Sequence, residues 1–556
     1  MFSRATLLVL NVVVLAVLLG YAIFPSFSAL KESLLWQGDV SLEHYRRVFS
    51  SSRYLAAMGN SLLTSLLTVI GAGALGSSLA FLFWRYAFAF KRAFLQLFLL
   101  PIGLPPLVGA FSFQLIYGES GFLPRATQWL FGLSEPPFAF EGLWAVLLIH
   151  VYSFFVHFFL FVYATLSKTD YALVEAARTF GASRATAFRK ILLPLLRPAL
   201  VSASLITFAL SMASFTAPLL FASKMSFLTV EIYNQKIGGE FGIASGLTVL
   251  LVLTSMSLLF AFETFGDARV SLSRRATPKD APTKPLSPFG FLFLLGASLF
   301  VSLPILALAT MSFSESPASS RGVLPTQWGV ANYAKLFGEA DFYEPFLNSF
   351  SLSLLASAAN LLFGVIAGTL IASRQIALRP FANIAFLLPL TIPATALGVN
   401  LIATFNKPSF LAFGQTLVGT VWILPLAYFI RHLPYVTRSV SSALSNFDPS
   451  LSEAAATLGA SPARALWRVA IPIALSAIAS GFLFTFISAF GEFPCSVLLY
   501  SPDAVPISVA IFSSLRLGEF GVAAAQGVLL LLVVTALTAT AQRLFRTNFG
   551  QEPFGF

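Results

Sequence analysis

The sequence predicts an all-α membrane protein with about twelve transmembrane helices arranged as two parallel six-helix repeats. Three observations carry that expectation. Charged residues make up 10% of the chain and hydrophobic ones 57%, whereas a soluble domain carries roughly a quarter charged residues to cover its surface. Apolar runs of about twenty residues recur from end to end, each able to cross a bilayer as a helix. The second part of the chain also repeats the first at a nearly constant offset.

In chain order the runs lie near Thr6–Phe27, Asn60–Trp84, Phe94–Tyr117, Leu143–Leu166, Leu195–Leu220, Ile243–Phe265, Pro288–Ser312, Asn348–Ala372, Phe381–Phe405, Gln415–Leu433, Ile473–Leu499 and Val522–Ala541. The first follows Arg4 as a signal peptide would. Its apolar stretch is longer than a signal core and no small-residue cleavage site follows, so it reads as a retained span. With both termini in the cytoplasm, the cytoplasmic segments and their flanks hold roughly two-thirds of the 34 Lys and Arg but only about a third of the 23 acidic residues, the positive-inside pattern. The net charge of +11 is therefore a matter of orientation, and no nucleic-acid partner is expected. Cys495 is the only cysteine, which excludes an internal disulfide and a cysteine-built metal site.

The repeat sets the domain organisation. Tyr45 corresponds to Tyr333, Asn60-Ser61 to Asn348-Ser349, Leu100-Pro101 to Leu388-Pro389 and Pro105 to Pro393, all 288 residues apart. A longer outer loop around Pro124–Phe140 then shortens the offset to 278, at which Asp170–Ser183 matches Asp448–Ser461 in nine of fourteen positions. Gly239-Glu240-Phe241-Gly242 returns as Gly518-Glu519-Phe520-Gly521. Six spans per half is an even number, so the halves share one orientation. We expect a first six-helix half at 1–266, a cytoplasmic linker at 267–287 rich in Pro, Arg, Lys and Ser, and a second half at 288–556.

Two cytoplasmic segments carry the clearest local code. Asp170 is placed to cap a short helix holding Glu175-Ala176-Ala177, Gly181 to end it, and Ser183 to cap a second helix that leads into Leu193-Pro194. Asp448-Pro449, Glu453-Ala454-Ala455, Gly459 and Ser461-Pro462 repeat the arrangement ahead of Ile471-Pro472. Two capped helices with a turn make a rigid knob, and paired alanines let a partner's backbone come close.

At these residues the sequence resembles the EAA loop of ABC importer permeases, Glu-Ala-Ala-x3-Gly-x9-Ile-x-Leu-Pro. The first copy matches throughout; the second has Val469 and Ile471 in place of Ile and Leu. The resemblance, which covers essentially the whole chain, implies a type I importer permease fold in the bacterial inner membrane. It further implies two copies of an ABC ATPase subunit docked on the two loops, ATP bound by that partner rather than by this chain, and an extracytoplasmic solute-binding protein. Glu175, Ala176, Ala177, Gly181, Glu453, Ala454, Ala455 and Gly459 are then the ATPase-coupling residues. The fused layout is similar to the ferric-iron permeases and to the thiamine and phosphonate groups. Glu492-Phe493-Pro494-Cys495-Ser496 resembles the Glu-Leu-Pro-Ala-Thr segment of the ferric-iron group.

Other polar residues are weighed against plainer roles. A carboxylate in a span costs about 2.5–3.5 kcal/mol on insertion scales, so Glu492 is a translocation-path candidate, with Ser214 and Thr216 in the matching stretch of the first half. The plain reading of Glu492 is a carboxylate buried against a backbone donor. Glu175 and Glu453 can equally serve to hold their loops. His150 and His157 share a helix face seven residues apart, a pattern too sparse to define a metal site. No phosphate-cradling Gly-x4-Gly-Lys-Ser/Thr, nucleophile elbow or His-Glu-x-x-His occurs, so no enzyme site is expected. An ion-coupled secondary transporter is the main alternative; it would need charges along its path, and Glu492 stands nearly alone.

Overall fold

The computed structural model describes residues 4–119, 121–138, 140–266, 284–315, 323–445 and 449–549. Asp448 and the linker up to residue 283 lie outside them. Among the described residues, eight helices are long and apolar enough to cross a bilayer: Ala5–Ser33, Ser52–Arg85, Leu143–Ser167, Arg184–Met212, Pro288–Ser312, Ala340–Ala372, Leu466–Phe490 and Phe520–Thr540. They correspond to eight of the expected runs.

The other four differ from expectation for local reasons. The third and ninth runs are broken rather than continuous. Lys91–Gly103 and Pro106–Phe131 meet at a bend of 108°, and Arg379–Thr391 gives way to Ala394–Phe405. In both, the break falls at a residue before proline, where the pyrrolidine ring pushes the backbone out of the helical region. Leu104 has ψ 118° and Ile392 ψ 120°. The tenth run is a helix at Ile423–Ser445, later than expected and with Arg431 inside it. The sixth forms the helix Phe241–Gly266, of which Phe241–Ser257 is a shorter apolar stretch.

The chain packs as two compact units, one of Ser51–Val230 with Leu253–Gly329, the other of Met1–Ser50, Glu231–Val252 and Val330–Phe556. They do not follow the sequence halves. The N-terminal span is grouped with the body of the second half, and Pro288–Ser312 with the body of the first.

In the first of these units, Ser52–Arg85 crosses Leu143–Ser167 closely at Gly76, where a Cβ would stand 2.8 Å from Phe158 Cβ and 2.9 Å from Phe159 N. The ring of Phe83 meets Phe98 and Phe159 edge-on, at 5.9 and 5.3 Å. Phe300 packs on Phe113 and Tyr152 at 6.2 and 5.6 Å and ties in Pro288–Ser312.

The second unit repeats the crossing with other residues. Ala340–Ala372 meets Ile423–Ser445 at Gly364, whose Cβ would stand 2.7 Å from Val436 Cβ. Val14 and Leu18 of the N-terminal span are buried with Phe363, Leu370, Phe386 and Leu433. Asn11 fixes the register there: its Nδ2 donates to Gln375 O at 3.1 Å and its Oδ1 accepts from Ala377 N at 2.6 Å.

The repeated Asn-Ser pairs have one job, done twice. Asn60 Nδ2 donates to Ser226 O (2.9 Å), and Leu228 N donates to Ser61 Oγ (3.0 Å). Asn348 Nδ2 donates to Val505 O (3.3 Å), and Ile507 N donates to Ser349 Oγ (2.8 Å). Each pair pins the chain where it enters the short helix Leu228–Ile237 or Ile507–Arg516.

Candidate functional site

The first knob forms as its caps dictate, and the described part of the second follows the same pattern. In the first, Ala172 N donates to Asp170 Oδ1 at 3.0 Å, the helix runs Ala172–Thr179, and Gly181 takes φ +83°. Ala182 N donates back to Ala177 O at 3.0 Å, closing the helix end with a left-handed residue. Thr186 N then donates to Ser183 Oγ at 3.1 Å and starts Arg184–Ala187. In the second, the helix runs Pro449–Thr457, Gly459 takes φ +80°, Ala460 N donates to Ala455 O at 3.0 Å, and Arg464 N donates to Ser461 Oγ at 3.4 Å. The Glu453 side chain lies outside the described residues.

Exposure repeats as closely as conformation. Ala176 and Ala454 are exposed, Ala177 and Ala455 half-buried. Leu173 and Leu451 are 48% and 44% exposed, and Phe180 and Leu458, each just before its glycine, 91% and 88%. Both tips therefore bare a large apolar side chain at the same place in the repeat. The first knob is seated by Tyr171, which packs edge-on against Trp84 at 5.9 Å and under the Arg85 guanidinium at 5.2 Å.

Each knob joins its span through a π-helical segment, Phe188–Leu192 or Leu466–Ala470. Pro194 and Pro472 follow as the second residue of the α-helix beyond. Proline lacks an N–H and crowds the carbonyl four residues back, and the wider turn relieves that crowding. The N-terminal span does the same at Leu18–Ile23 ahead of Pro25.

The polar residues near the end of each fifth span form two joints of unlike chemistry. Glu492, only 6% exposed, turns its carboxylate back on its own chain: Oε1 accepts from Cys495 N (2.9 Å), and Oε2 accepts from Ser496 N (2.9 Å) and Ser496 Oγ (2.6 Å). It thereby caps the helical turn Ser496–Leu499. Tyr428 OH stands 2.8 Å from Ser496 Oγ, and Ser508 Oγ donates to Glu492 O at 2.6 Å. At the corresponding place in the other unit, the buried His150 ring has Nε2 2.8 Å from Ser214 Oγ and Nδ1 2.9 Å from Ser211 Oγ. Thr229 Oγ1 donates to Ser214 O at 2.7 Å. Thr216 is buried, with no hydrogen-bond partner for its hydroxyl among the described residues. His157 lies apart from this cluster, its Nδ1 3.2 Å from Phe154 O.

His150 and Tyr428 were not read as a pair in the sequence, although they stand 278 residues apart at the repeat offset. The signal was hidden because the two residue types differ. Each ties its span to the turn that follows the fifth span, one through serine hydroxyls and the other through a serine held by a carboxylate.

A helical membrane protein with an internally repeated architecture and a duplicated capped knob is the class these features define. The chain belongs to the family described as binding-protein-dependent transport system inner membrane component, which matches at residues 53–269 and 360–549. It is 29% identical over 560 residues to the probable ABC transporter permease protein y4fN of Sinorhizobium fredii (strain NBRC 101917 / NGR234), covering 98% of this chain and 97% of that protein. It is 25% identical over 533 residues to the ferric transport system permease protein FbpB of Actinobacillus pleuropneumoniae, covering 93% and 75%. It is 22% identical over 510 residues to the Fe(3+)-transport system permease protein FbpB 2 of Haemophilus influenzae (strain ATCC 51907 / DSM 11121 / KW20 / Rd), covering 89% and 91%.

Proposed function

We propose that this chain is the fused translocation subunit of an ATP-driven importer of the inner membrane, with both termini in the cytoplasm. In this reading it works with two copies of an ATPase subunit, which bind the ATP, and with an extracytoplasmic solute-binding protein. The observation that carries the coupling role is the pair of bare apolar tips, Phe180 and Leu458, on knobs with the same glycine stop, the same serine cap and the same exposure pattern. Glu175, Ala176, Ala177 and Gly181 shape one docking surface; Glu453, Ala454, Ala455 and Gly459 shape the other.

Ferric iron is the proposed cargo, supported by the FbpB relatives and by the Glu492–Ser496 segment. A hard trivalent cation takes oxygen ligands. Of the three path candidates, Thr216 has the uncommitted hydroxyl, Ser214 is engaged with His150, and Glu492 is engaged in capping.

Co-purification with the co-encoded ATPase tests the reading. Wild type should retain two ATPase subunits per chain, Phe180→Asp or Leu458→Asp about one, and the double variant essentially none. Full retention by the double variant would remove the coupling role.

A further inference from the structure

We propose that the loop between Ala394–Phe405 and Ile423–Ser445 is seated at the bilayer interface, with Phe410 and Phe413 inserted among lipid acyl chains. Such a connection would ordinarily lie in water, and this one turns two phenylalanines outward beside the exposed polar residues Asn406, Lys407 and Gln415. From Pro380 to Ile430 the sequence holds one charged residue, Lys407. The loop's turn at Phe410–Ala412 exposes Phe410 by 94% and Phe413 by 93%, the highest values among the large apolar side chains described.

Its depth follows from what it touches. Tyr21 OH donates to Leu411 O at 2.6 Å, a Cβ at Gly20 would stand 3.0 Å from Leu411 Cδ2, and the Tyr21 ring stacks on Phe405 at 6.4 Å. Gly20 and Tyr21 lie in the middle of the span Ala5–Ser33. At 1.5 Å per residue Tyr21 is about 9 Å from Phe27, the end of the apolar run before Lys31 and Glu32, so the loop lies within reach of both headgroups and acyl chains. The same span bares Leu19, Phe24 and Phe27 by 49%, 49% and 61%. Phe410 and Phe413 extend that lipid-facing surface.

Irregular backbone facing lipid is excluded from the hydrocarbon core, so a loop at this level belongs at the interface, where satisfying its own polar groups still helps it. Here six of the seven N–H groups from Ser409 to Gln415 donate within the loop. Ser409 N bonds Gln415 O, Ala412 N and Gly414 N bond Ser409 O, Phe413 N bonds Phe410 O, Gln415 N bonds Ala412 O, and Leu411 N bonds Ser409 Oγ. Phe413 and Gly414, at φ +53° and +78°, make the left-handed reversal that closes it. Leu417 N and Val418 N both donate to Phe405 O. The Lys407 ammonium reaches the headgroup region on its long stem.

The test is spin labelling of Phe410→Cys and Phe413→Cys in the full chain, reconstituted with its ATPase in phosphatidylglycerol–phosphatidylethanolamine vesicles. The native Cys495 is buried and stays unlabelled. Labels at 410 and 413 should collide several-fold more with oxygen than with a water-soluble nickel chelate. The order should reverse at Val40→Cys, which is 83% exposed on the short strand Asp39–Val40. Chelate-dominated collisions at 410 and 413 would overturn the proposal, as would labels silenced by added binding protein, which would make the loop a protein-docking surface. Acyl-chain photolabelling of unmodified protein is the check that needs no variant. Label on Phe410–Phe413 is expected, and its absence there, with label present on Leu19–Phe27, would overturn the proposal equally.

Discussion

Glu492 shows how a residue with a costly charge can be explained by its own neighbourhood. Three donors point at its two oxygens, and two of them are the backbone N–H groups that open Ser496–Leu499. A carboxylate at a helix N-terminus satisfies orphan donors and the helix dipole together. Glu492→Gln turns one acceptor into a donor and leaves a buried N–H facing an amide N–H. That should cost about 1–3 kcal/mol of stability. The expected result is a lower melting temperature in detergent, with uptake per folded molecule near wild type. An unchanged melting temperature with slowed uptake would return Glu492 to the translocation path. The sequence is compatible with both roles, and the hydrogen bonds favour capping.

At the scale of elements, the π segments are the feature with a mechanical consequence. A π turn holds one residue more than the α-helix around it, so it sets the angle at which each knob leaves its span. Removing one residue from Leu466–Ala470 should close the wide turn to an α-turn, bring back the crowding ahead of Pro472 and change the angle at which the second knob leaves its span. Membrane insertion should persist, because the apolar run at Ile471–Phe490 is untouched. Solute-stimulated ATP hydrolysis should fall at least several-fold. Hydrolysis at the wild-type rate would mean that the knob's angle is irrelevant to coupling. The sequence predicted the prolines and the caps around this segment but not the π turns. A proline states only that a carbonyl must be relieved, and whether a helix kinks, breaks or widens is settled by what packs on either side.

At the scale of the molecule, the grouping of each half's first span with the other half's body has a testable cost. Val14 and Leu18 are buried by Phe363, Leu370, Phe386 and Leu433, more than 340 residues away in sequence, and Asn11 spends both ends of its amide on Gln375 and Ala377. Residues 1–266 expressed alone should insert but resist extraction as a stable monodisperse species. Co-expression with 288–556 should restore a complex that survives size-exclusion chromatography in detergent. A stable, monodisperse first half on its own would show that these contacts are dispensable.

The sequence by itself determined the features that depend on a few adjacent residues. These are the apolar runs of spanning length, the duplication at 288 and 278 residues, and the Asp, Ser and Gly positions that cap and end the knob helices. Only the tertiary structure decided which apolar surface meets which: the company of the N-terminal span, the pairing of His150 and Tyr428 with their serines, and the place of the Phe410–Phe413 turn beside Gly20. The physical reason is that in a bilayer an apolar side chain is about as well solvated by lipid as by another helix. Hydrophobicity therefore marks the spans without choosing their neighbours, and the choice rests on small residues such as Gly76 and Gly364 and on scattered hydrogen bonds whose partners lie far apart in the chain.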